Sequence, residues 1–209
     1  MPNTIYTIGH STYPIDKLIG LLKQHAITAV CDVRSQPYSQ VNFQFNREPL
    51  KQALRAEGIA YIFLGKELGA RSDDKSCYVN GRVQYDLLAQ TDLFRQGLER
   101  VKKGAQSYRI ALMCAEKEPL ECHRAILVSR HLVEQGMHVL HILSDGRLEK
   151  HEQSLQRLID NLELRQLNMF SQVHDIISDA YRIQGDAIAY QMKGDDIIKN
   201  NDQMLTGAV

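Results

Sequence analysis

The chain has 209 residues and a mass of 23.8 kDa, the size of one large domain or of a domain of about 150 residues with an appendage. Hydrophobic residues make up 44% of the chain and charged residues 24%, which excludes a disordered or low-complexity protein. Lys and Arg together number 25, as do Asp and Glu, so the formal net charge is zero. No overall field attracts nucleic acid or an anionic membrane, and any anion site must be local.

The sequence carries no signal for export or membrane insertion. No apolar run reaches the roughly 18 residues of a membrane span, and the first residues lack the pattern of a signal peptide. The four cysteines are irregularly spaced without a C-x-x-C pair, which indicates thiols in a reducing compartment. We expect a cytoplasmic protein without a membrane partner, with Cys31 in the core and Cys77 at the surface.

Short β-rich runs alternate with segments of helical periodicity. The runs are almost continuously apolar, which is typical of parallel strands buried on both faces. This order predicts an α/β fold, with a mostly parallel, doubly wound (Rossmann-like) sheet of about five strands and helices on both faces. The predicted strands are residues 4–8, 28–33, 60–64, 109–113 and 138–143, and the predicted helices are residues 15–25, 47–57, 85–103 and 124–135.

Two parts of the chain depart from this alternation. Residues 66–81 are rich in Gly, Ser, Asp and Lys and predict a long loop that forms a flap over the site. A further helix is predicted over residues 148–167, and beyond it the apolar spacing weakens. We expect a core domain over residues 1–166 and a helical or partly disordered appendage over residues 167–209, with a short docking helix at Ile176, Ile177 and Ile183.

Polar residues follow each predicted strand. Ligands of doubly wound sheets bind beyond the carboxyl ends of the strands, so these residues are candidates for one shared site. The candidate catalytic residues are His10, Cys114, Glu116, Cys122 and His123, and the candidate substrate-binding residues are Ser11, Asp32, Arg34, Ser35, Arg71 and Arg124.

The segment from Cys114 to Arg124 carries the strongest chemical signal. A strand ends at Cys114, Pro119 blocks its continuation, and a helix begins near Cys122. A thiol at a helix N-terminus beside an arginine has a lowered pKa, so we expect Cys122 to be the more acidic of the two cysteines. Both cysteines also fit as small buried side chains, because free cysteine is among the most buried residue types.

Two other positions have alternative interpretations. His10 follows a strand and a glycine, where it suits a general base, an anion contact or a hydrogen bond within its loop. Asp32 and Arg34 share one face of an extended segment, so they orient a substrate or bridge each other.

Five motifs in a fixed order resemble the prokaryotic family called domain of unknown function 488. They are Thr7-Ile8-Gly9-His10-Ser11, Asp32-Val33-Arg34 with Pro37, Ser39 and Phe43, Leu64-Gly65 and Leu68-Gly69 with Arg71, Cys114-x-Glu116 with Cys122-His123-Arg124, and Val139-x-His141-Ile142 with Gly146. The third motif departs from the family at Ala70, where many members carry a second glycine.

The resemblance covers about residues 1–150 and implies an α/β fold with a shared site at the motif residues. It carries no established reaction, and family identity alone does not supply a function. The cysteine-phosphatase pattern His-Cys-x5-Arg does not fit, because the sixth residue after Cys114 is Leu120 and Arg124 is the second residue after Cys122.

Three classes of function remain open. The first is an enzyme, a hydrolase or transferase, that holds an anionic small-molecule or nucleotide-like substrate with arginines and uses a cysteine thiolate with a histidine. The second is a metal or thiol-redox protein in which Cys114, Cys122 and histidine bind Zn or Fe, or in which the cysteines form a reversible disulfide. The third is a non-catalytic module for a ligand or nucleic acid, which the absence of a basic stripe disfavours. The candidate site includes no assigned metal ligand, and the cofactor, the substrate and the oligomeric state stay unknown.

Overall fold

The structure, a computed structural model, describes residues 3–167 and 173–192 of the chain. Of the predicted appendage, residues 168–172 and 193–209 lie outside these described residues. Within them, no helix combines the length and the apolar character that crossing a membrane requires. The strands are β1 (Thr4–Gly9), β2 (Ala29–Asp32), β3 (Ala60–Phe63), β4 (Tyr78–Val79), β5 (Arg82–Val83), β6 (Ile110–Cys114), β7 (His138–Ile142) and β8 (Leu148–Lys150). The α-helices are α1 (Ile15–Gln24), α2 (Arg47–Ala56), α3 (Gly65–Leu68), α4 (Tyr85–Ala89), α5 (Asp92–Gly104), α6 (Arg130–Glu134), α7 (His151–Asn161), α8 (Leu164–Leu167) and α9 (Val173–Ile188).

A six-stranded sheet in the order β3-β2-β6-β1-β7-β8 forms the centre of the fold. All its pairings are parallel except that of β7 with β8, which confirms the predicted mostly parallel α/β fold. β6 lies between β1 and β2, with Cys114 opposite Gly9 and Met113 opposite Asp32. The carboxyl ends of these strands therefore meet at one edge of the sheet.

Both faces of the sheet are buried, which explains the continuous apolar runs. Along β6, Ile110, Leu112 and Cys114 belong to one hydrophobic core, and Ala111 and Met113 belong to the other. Helices α1 and α2 cover the face of Ala111, and α5 together with residues 124–134 covers the opposite face.

The C-terminal helix α9 packs against the rest of the chain. It contributes Ala180 and Tyr181 to a third hydrophobic cluster with α7, and Ile176, Ile177 and Ile183 are partly buried against that cluster. The predicted docking helix is therefore part of the longer helix α9. The division into a core domain and an appendage remains a prediction.

The single helix predicted over residues 85–103 is wrong, because the chain forms α4 and α5 there. Thr91 separates them with its side chain. Its hydroxyl donates a hydrogen bond to the Leu88 carbonyl at 2.8 Å and accepts one from the Phe94 N–H at 3.2 Å. The same residue ends one helix and caps the next.

The helix predicted over residues 148–167 is wrong at its start, because residues 148–150 form strand β8. Gly146 adopts a φ of 84°, and the Asp145 carboxylate accepts the Arg147 backbone N–H at 3.0 Å. This Asp-Gly turn closes a β-hairpin with β7 and delays the helix to His151.

The predicted long loop over residues 66–81 contains the end of α3, a 3₁₀ turn at Lys75–Cys77, and the hairpin of β4 and β5. The 3₁₀ turn directs Cys77 into the core, where it is 1% exposed, so its predicted surface position is wrong. Cys31 is buried, as expected.

A buried hydrogen-bonded chain links the sheet to α9. The Thr7 hydroxyl lies 2.7 Å from His141 Nδ1, His141 Nε2 lies 3.0 Å from His151 Nδ1, and His151 Nε2 lies 2.8 Å from the Tyr181 hydroxyl. Burial lowers the pKa of His141 well below its usual value and the pKa of His151 to about 4. Both rings are therefore neutral in the folded protein near neutral pH.

We expect acid to destabilise the fold through His151. Its pKa is about 4 when folded against an ordinary 6.5, so the unfolded chain takes up the proton first as the pH falls. The stability is complete above pH 6.5 and declines by roughly 3 kcal/mol toward pH 4. His151→Gln, which does not titrate, should flatten the dependence of the free energy of unfolding on pH in urea titrations. The exposed control His174→Gln should keep the wild-type dependence, and an unchanged curve for His151→Gln contradicts this expectation.

Candidate functional site

A cavity of about 280 Å³ opens at the carboxyl edge of the sheet, next to the ends of β2 and β6. Four candidate residues, His10, Ser11, Asp32 and Arg124, do not line it. The candidate residues that line it are Arg34, Ser35, Arg71, Cys114, Glu116, Cys122 and His123. The other lining residues are Gln36, Ala70, Tyr85, Ala115, Glu121, Ile188 and Tyr190.

Gly9 allows the segment after β6 to lie against the end of β1. The His10 and Ser11 N–H groups donate to the Cys114 and Ala115 carbonyls at 3.0 and 2.8 Å, which extends the parallel pairing beyond the strands. A Cβ atom on Gly9 would overlap the carbonyl oxygen of Glu116. Only glycine permits this close approach.

Arg124 holds the same segment from the interior of the protein. Its side chain is fully buried, and its two terminal nitrogens donate to the carbonyls of Glu116 and Lys117 at 2.6 and 3.1 Å. The predicted substrate-binding guanidinium thus contacts the backbone instead of the cavity.

The predicted helix over residues 124–135 begins as a π-helix, Arg124–Ser129, and continues as α6. The Ser129 hydroxyl donates to the Arg124 carbonyl at 2.7 Å and competes with the regular helical hydrogen bond. The π-helix therefore begins at the fully buried Arg124, which follows Cys122 and His123 in the sequence.

Two thiols, a carboxyl group and an imidazole meet in the cavity wall. Glu116 Oε2 lies 2.9 Å from the sulfur of Cys114 and 2.9 Å from that of Cys122. His123 Nδ1 lies 3.7 and 3.9 Å from the same two sulfurs. His123 Nε2 lies 3.0 Å from the Val33 carbonyl, to which it donates, so Nδ1 faces the thiols.

The two thiols differ in acidity. Burial raises the pKa of Cys122, but a hydrogen bond from Cys114, the charge of Arg124 and the contact with His123 together hold this pKa well below its ordinary value. Burial, followed by the hydrogen bond and the charge of Cys122, raises the pKa of Cys114 well above its ordinary value. This direction agrees with the sequence-based expectation for Cys122.

Glu116 and His123 respond to the same charge. Burial and the charge of Cys122 raise the pKa of Glu116. Burial lowers the pKa of His123, but the hydrogen bond and charge of Cys122 outweigh it and raise the pKa overall. Both shifts favour a proton on the groups around the Cys122 thiolate.

Arg34 is fixed in the opposite wall. Asp32 accepts from Arg34 Nε at 2.9 Å and from one terminal nitrogen at 2.6 Å, and that nitrogen also donates to the Phe45 carbonyl. Its other terminal nitrogen donates to His10 Nε2 at 3.1 Å. Within the described part of the chain, the second hydrogen of that nitrogen has no protein acceptor, which leaves it available to a ligand.

His10 acts as a neutral support for Arg34. Burial and then the charge of Arg34 lower the pKa of His10 to about 4. Its Nδ1 donates to the Ser11 carbonyl at 2.7 Å, and its ring stacks on Phe45 with centroids 4.2 Å apart. Ser11 contributes its backbone, with a left-handed φ of 49°. His10 and Asp32 thus orient Arg34 from outside the cavity.

Arg71 lies at the exposed rim of the cavity. Its backbone N–H donates to the Ser35 hydroxyl at 2.9 Å, and its side chain contacts Gln36 and lies 4.1 Å above the ring of Tyr190. The sequence interpretation missed Tyr85 and Tyr190 as lining residues. No motif marks them, and Tyr190 reaches the site because α9 packs back on the domain.

The cluster has the donor types and the size of a metal site. One ligand atom each from Cys114, Glu116, Cys122 and His123 lies within 4.8 Å of all the others. The same groups can also act without a metal, as a nucleophile with a neighbouring acid. The geometry therefore suits covalent catalysis or metal binding.

Replacing Gly9 should disturb the site more than its small size suggests. Gly9→Ala forces the segment at Glu116 away from β1, and overpacking of this kind costs about 1–3 kcal/mol. Gly20→Ala is the control, because a Cβ there meets no atom within 4 Å and alanine stabilises a helix by about 0.5–1 kcal/mol. Urea unfolding measures both, and a Gly9→Ala protein as stable as wild type would show that the packing is not tight.

A family model described as "Domain of unknown function DUF488" matches residues 14–131, more than half of the chain. No curated protein and no solved structure matches the chain. The matched segment contains every candidate residue that lines the cavity, from Arg34 to His123. It leaves out β1 with His10 and all of α9.

Proposed function

The chain belongs to the family described as domain of unknown function DUF488, and we propose that it is an enzyme that attacks an anionic small molecule with the thiolate of Cys122. The proposal depends on one observation. The Cys122 thiol lines a cavity whose walls also contain Arg34 and Arg71. A nucleophilic thiolate beside two guanidinium groups fits an electrophile that carries negative charge.

Cys122 is the favoured nucleophile because cationic and donor groups surround its sulfur. The Arg124 backbone N–H lies 3.5 Å from the sulfur, and His123 Nδ1 lies 3.9 Å from it. Among the described residues, the buried Arg124 guanidinium contacts carbonyl oxygens but forms no ion pair with a carboxylate. A buried cation without an anionic partner favours a negative charge nearby, and the Cys122 thiolate supplies it.

Arg34 and Arg71 supply different parts of anion binding. Arg34 is 7% exposed and held at its other nitrogens, so it offers one directed N–H at little conformational cost. Arg71 is exposed at the rim, where its charge attracts an anion from solvent. The first arginine fixes the position of the anion, and the second assists its entry.

The reaction is a substitution in which Glu116 moves the proton. The Cys122 sulfur forms a bond to the electrophilic centre while the bond to the leaving group breaks. Protonated Glu116 gives its proton to that leaving group. Water or a second substrate then attacks the covalent intermediate, transfers a proton to the Glu116 carboxylate and releases the thiolate. Water makes the enzyme a hydrolase, and another acceptor makes it a transferase.

Space for a substrate larger than a simple anion adjoins the cavity. A second cavity of about 940 Å³ shares Ser35, Gln36 and Arg71 with the first. Its walls include both apolar side chains, such as Phe63, and charged ones, such as Lys66. This combination suits a nucleotide-like or similar substrate, with its anionic group near Arg34 and its body in the second cavity.

Charged and neutral alkylating agents test the proposal without a known substrate. The ratio of the iodoacetate labelling rate to the iodoacetamide labelling rate should be higher at Cys122 of the folded protein than in an unfolded chain. The reason is that the arginines attract the carboxylate of iodoacetate. Arg71→Gln should reduce this preference about two- to fivefold, the effect of one exposed charge. The readout is timed labelling with peptide mapping, and millimolar inorganic phosphate should slow labelling of the wild type.

The controls separate a local effect from a general one. Arg55→Gln removes the same charge from an exposed position on α2 and should leave the preference unchanged. Cys31 and Cys77 should be labelled only on unfolding, because both are buried in the core and, unlike Cys122, neither lines the cavity. Faster labelling of Cys114 than of Cys122, or no preference for iodoacetate, would refute the proposal. Binding of phosphate by a protein whose thiols never react would instead favour a non-catalytic binding module.

A further inference from the structure

We propose that Cys114, Glu116, Cys122 and His123 form a zinc site, so that the cavity has a zinc-bound form and a thiol-reactive form that exclude each other. The zinc site stands on its own geometry. The competition with thiol reactivity rests on the function proposed above. The two claims therefore need separate readouts.

The donor set is one that zinc prefers over the other common divalent cations. Two sulfurs, an imidazole nitrogen and a carboxylate oxygen lie within 4.8 Å of one another. Magnesium and calcium prefer oxygen ligands, whereas zinc is commonly held by Cys, His and Asp or Glu in tetrahedral geometry. Among the described residues, this is the one cluster of His, Cys, Asp and Glu whose ligand atoms are grouped closely enough for a metal.

The distances need little adjustment to become tetrahedral. Zinc bonds of about 2.3 Å to sulfur and about 2.0 Å to nitrogen place these two ligand atoms about 3.5 Å apart. The observed separations of His123 Nδ1 from the two sulfurs are 3.7 and 3.9 Å. Glu116 Oε2, now 2.9 Å from both sulfurs, must move outward by roughly 0.6 Å. Glu116 is the one ligand residue of the four that solvent reaches, although its carboxyl group is desolvated against the two thiols.

His123 is already oriented as a zinc ligand. Its Nε2–H donates to the Val33 carbonyl at 3.0 Å, so Nδ1 faces the two thiols and can bind a metal once it releases any proton it holds. A histidine ligand usually donates its second nitrogen to such an acceptor, which fixes the ring and its tautomer. Val33 directly follows β2, and Cys114 ends the neighbouring strand β6, so the contact of His123 with Val33 holds the ring beside Cys114. Cys114, Cys122 and His123 are all buried.

The charges around the cluster balance when zinc is bound. Two thiolates and one carboxylate carry three negative charges, and a divalent zinc ion leaves one of them uncompensated. Arg124 supplies the missing positive charge, because its backbone N–H faces the Cys122 sulfur and its guanidinium binds the Glu116 carbonyl. A buried site with no net charge avoids the large desolvation penalty of an unpaired ion.

Zinc and alkylation compete for the same sulfur electrons. Binding replaces the protons that the cluster holds, including the one on Cys114, with the metal and releases them to solvent. Four protein ligands complete the tetrahedron, which is the arrangement of a structural zinc site without an open position. The coordinated Cys122 sulfur then no longer acts as the nucleophile.

Cobalt and zinc titrations of the chelator-treated full chain test the site. One equivalent of Co²⁺ should produce the sulfur-to-cobalt charge-transfer band and the visible bands of tetrahedral cobalt, and Zn²⁺ should abolish them. Cys114→Ser and Cys122→Ser should each lower the charge-transfer intensity, because one thiolate remains in each, and the double variant should lose it. Glu116→Gln, altered at an exposed side chain, should bind Co²⁺ more weakly even if a cysteine variant misfolds. Cys77→Ala, which removes a thiol elsewhere, should retain the full spectrum.

Alkylation in the same samples separates the two claims. Zinc-loaded protein should resist iodoacetamide at Cys122, and a chelator should restore its labelling. Labelling without any spectral change would overturn the zinc site and leave the proposed function intact. A charge-transfer band that keeps its full intensity in both cysteine variants would also overturn it. Zinc binding with an apo protein whose thiols never react would support the zinc site, remove the competition and contradict the proposed function.

Discussion

The buried guanidinium of Arg124 is the contact on which the site depends. A cation inside a protein needs several acceptors, and Arg124 finds them in the Glu116 and Lys117 carbonyls. These hydrogen bonds fold the segment after β6 back over the start of the following helix. Cys114 and Cys122 consequently lie on either side of the Glu116 carboxyl group. Gly9 supplies the space that this fold needs at the end of β1.

The opposite wall of the cavity follows a different principle. The Asp32–Arg34 ion pair is almost fully buried, and such a pair seldom stabilises a fold more than apolar residues would. Its value lies in position, because Asp32 and the neutral ring of His10 leave Arg34 one orientation. Tyr61 donates to the same carboxylate at 2.8 Å and further restricts it. The cation is thus oriented before any ligand arrives, which lowers the entropy lost on binding.

Local patterns in the sequence predicted the sheet well, because parallel strands buried on both faces are apolar along their whole length. The same rule placed most candidate residues at one edge, since the carboxyl ends of β1, β2 and β6 meet there. Features that depend on a single side chain were not visible. The Thr91 hydroxyl ends α4 and caps α5 through two hydrogen bonds, and the spacing of apolar residues does not predict them. The Asp145-Gly146 turn forms a hairpin because β7 pairs with the segment that follows it, and helical periodicity does not show that pairing.

The sequence predicted which residues lie near the site better than it predicted what each of them does there. Arg124 and Arg34 are the same residue type near the same edge, yet one binds backbone carbonyls and the other faces the cavity. The difference arises from the π-helix and from the Asp32 carboxylate, which are tertiary features. Tyr190 was missed for a similar reason, because only the return of α9 places it beside Arg71.

Electrostatic repulsion limits how many acidic groups of the thiol cluster are ionised at once, and this limit applies both to the proposed catalysis and to the proposed zinc binding. Two cysteines and a glutamate in a buried wall cannot all be ionised beside a single arginine, because three negative charges in so little space repel one another strongly. A proton on Cys114 relieves this repulsion, the raised pKa of Glu116 acts in the same direction, and the negative charge stays on Cys122. Under the zinc proposal, a divalent cation replaces protons of the cluster and coordinates both sulfurs, so that no free thiolate remains. Either state leaves the cluster with one net negative charge, and the neighbouring Arg124 guanidinium balances it.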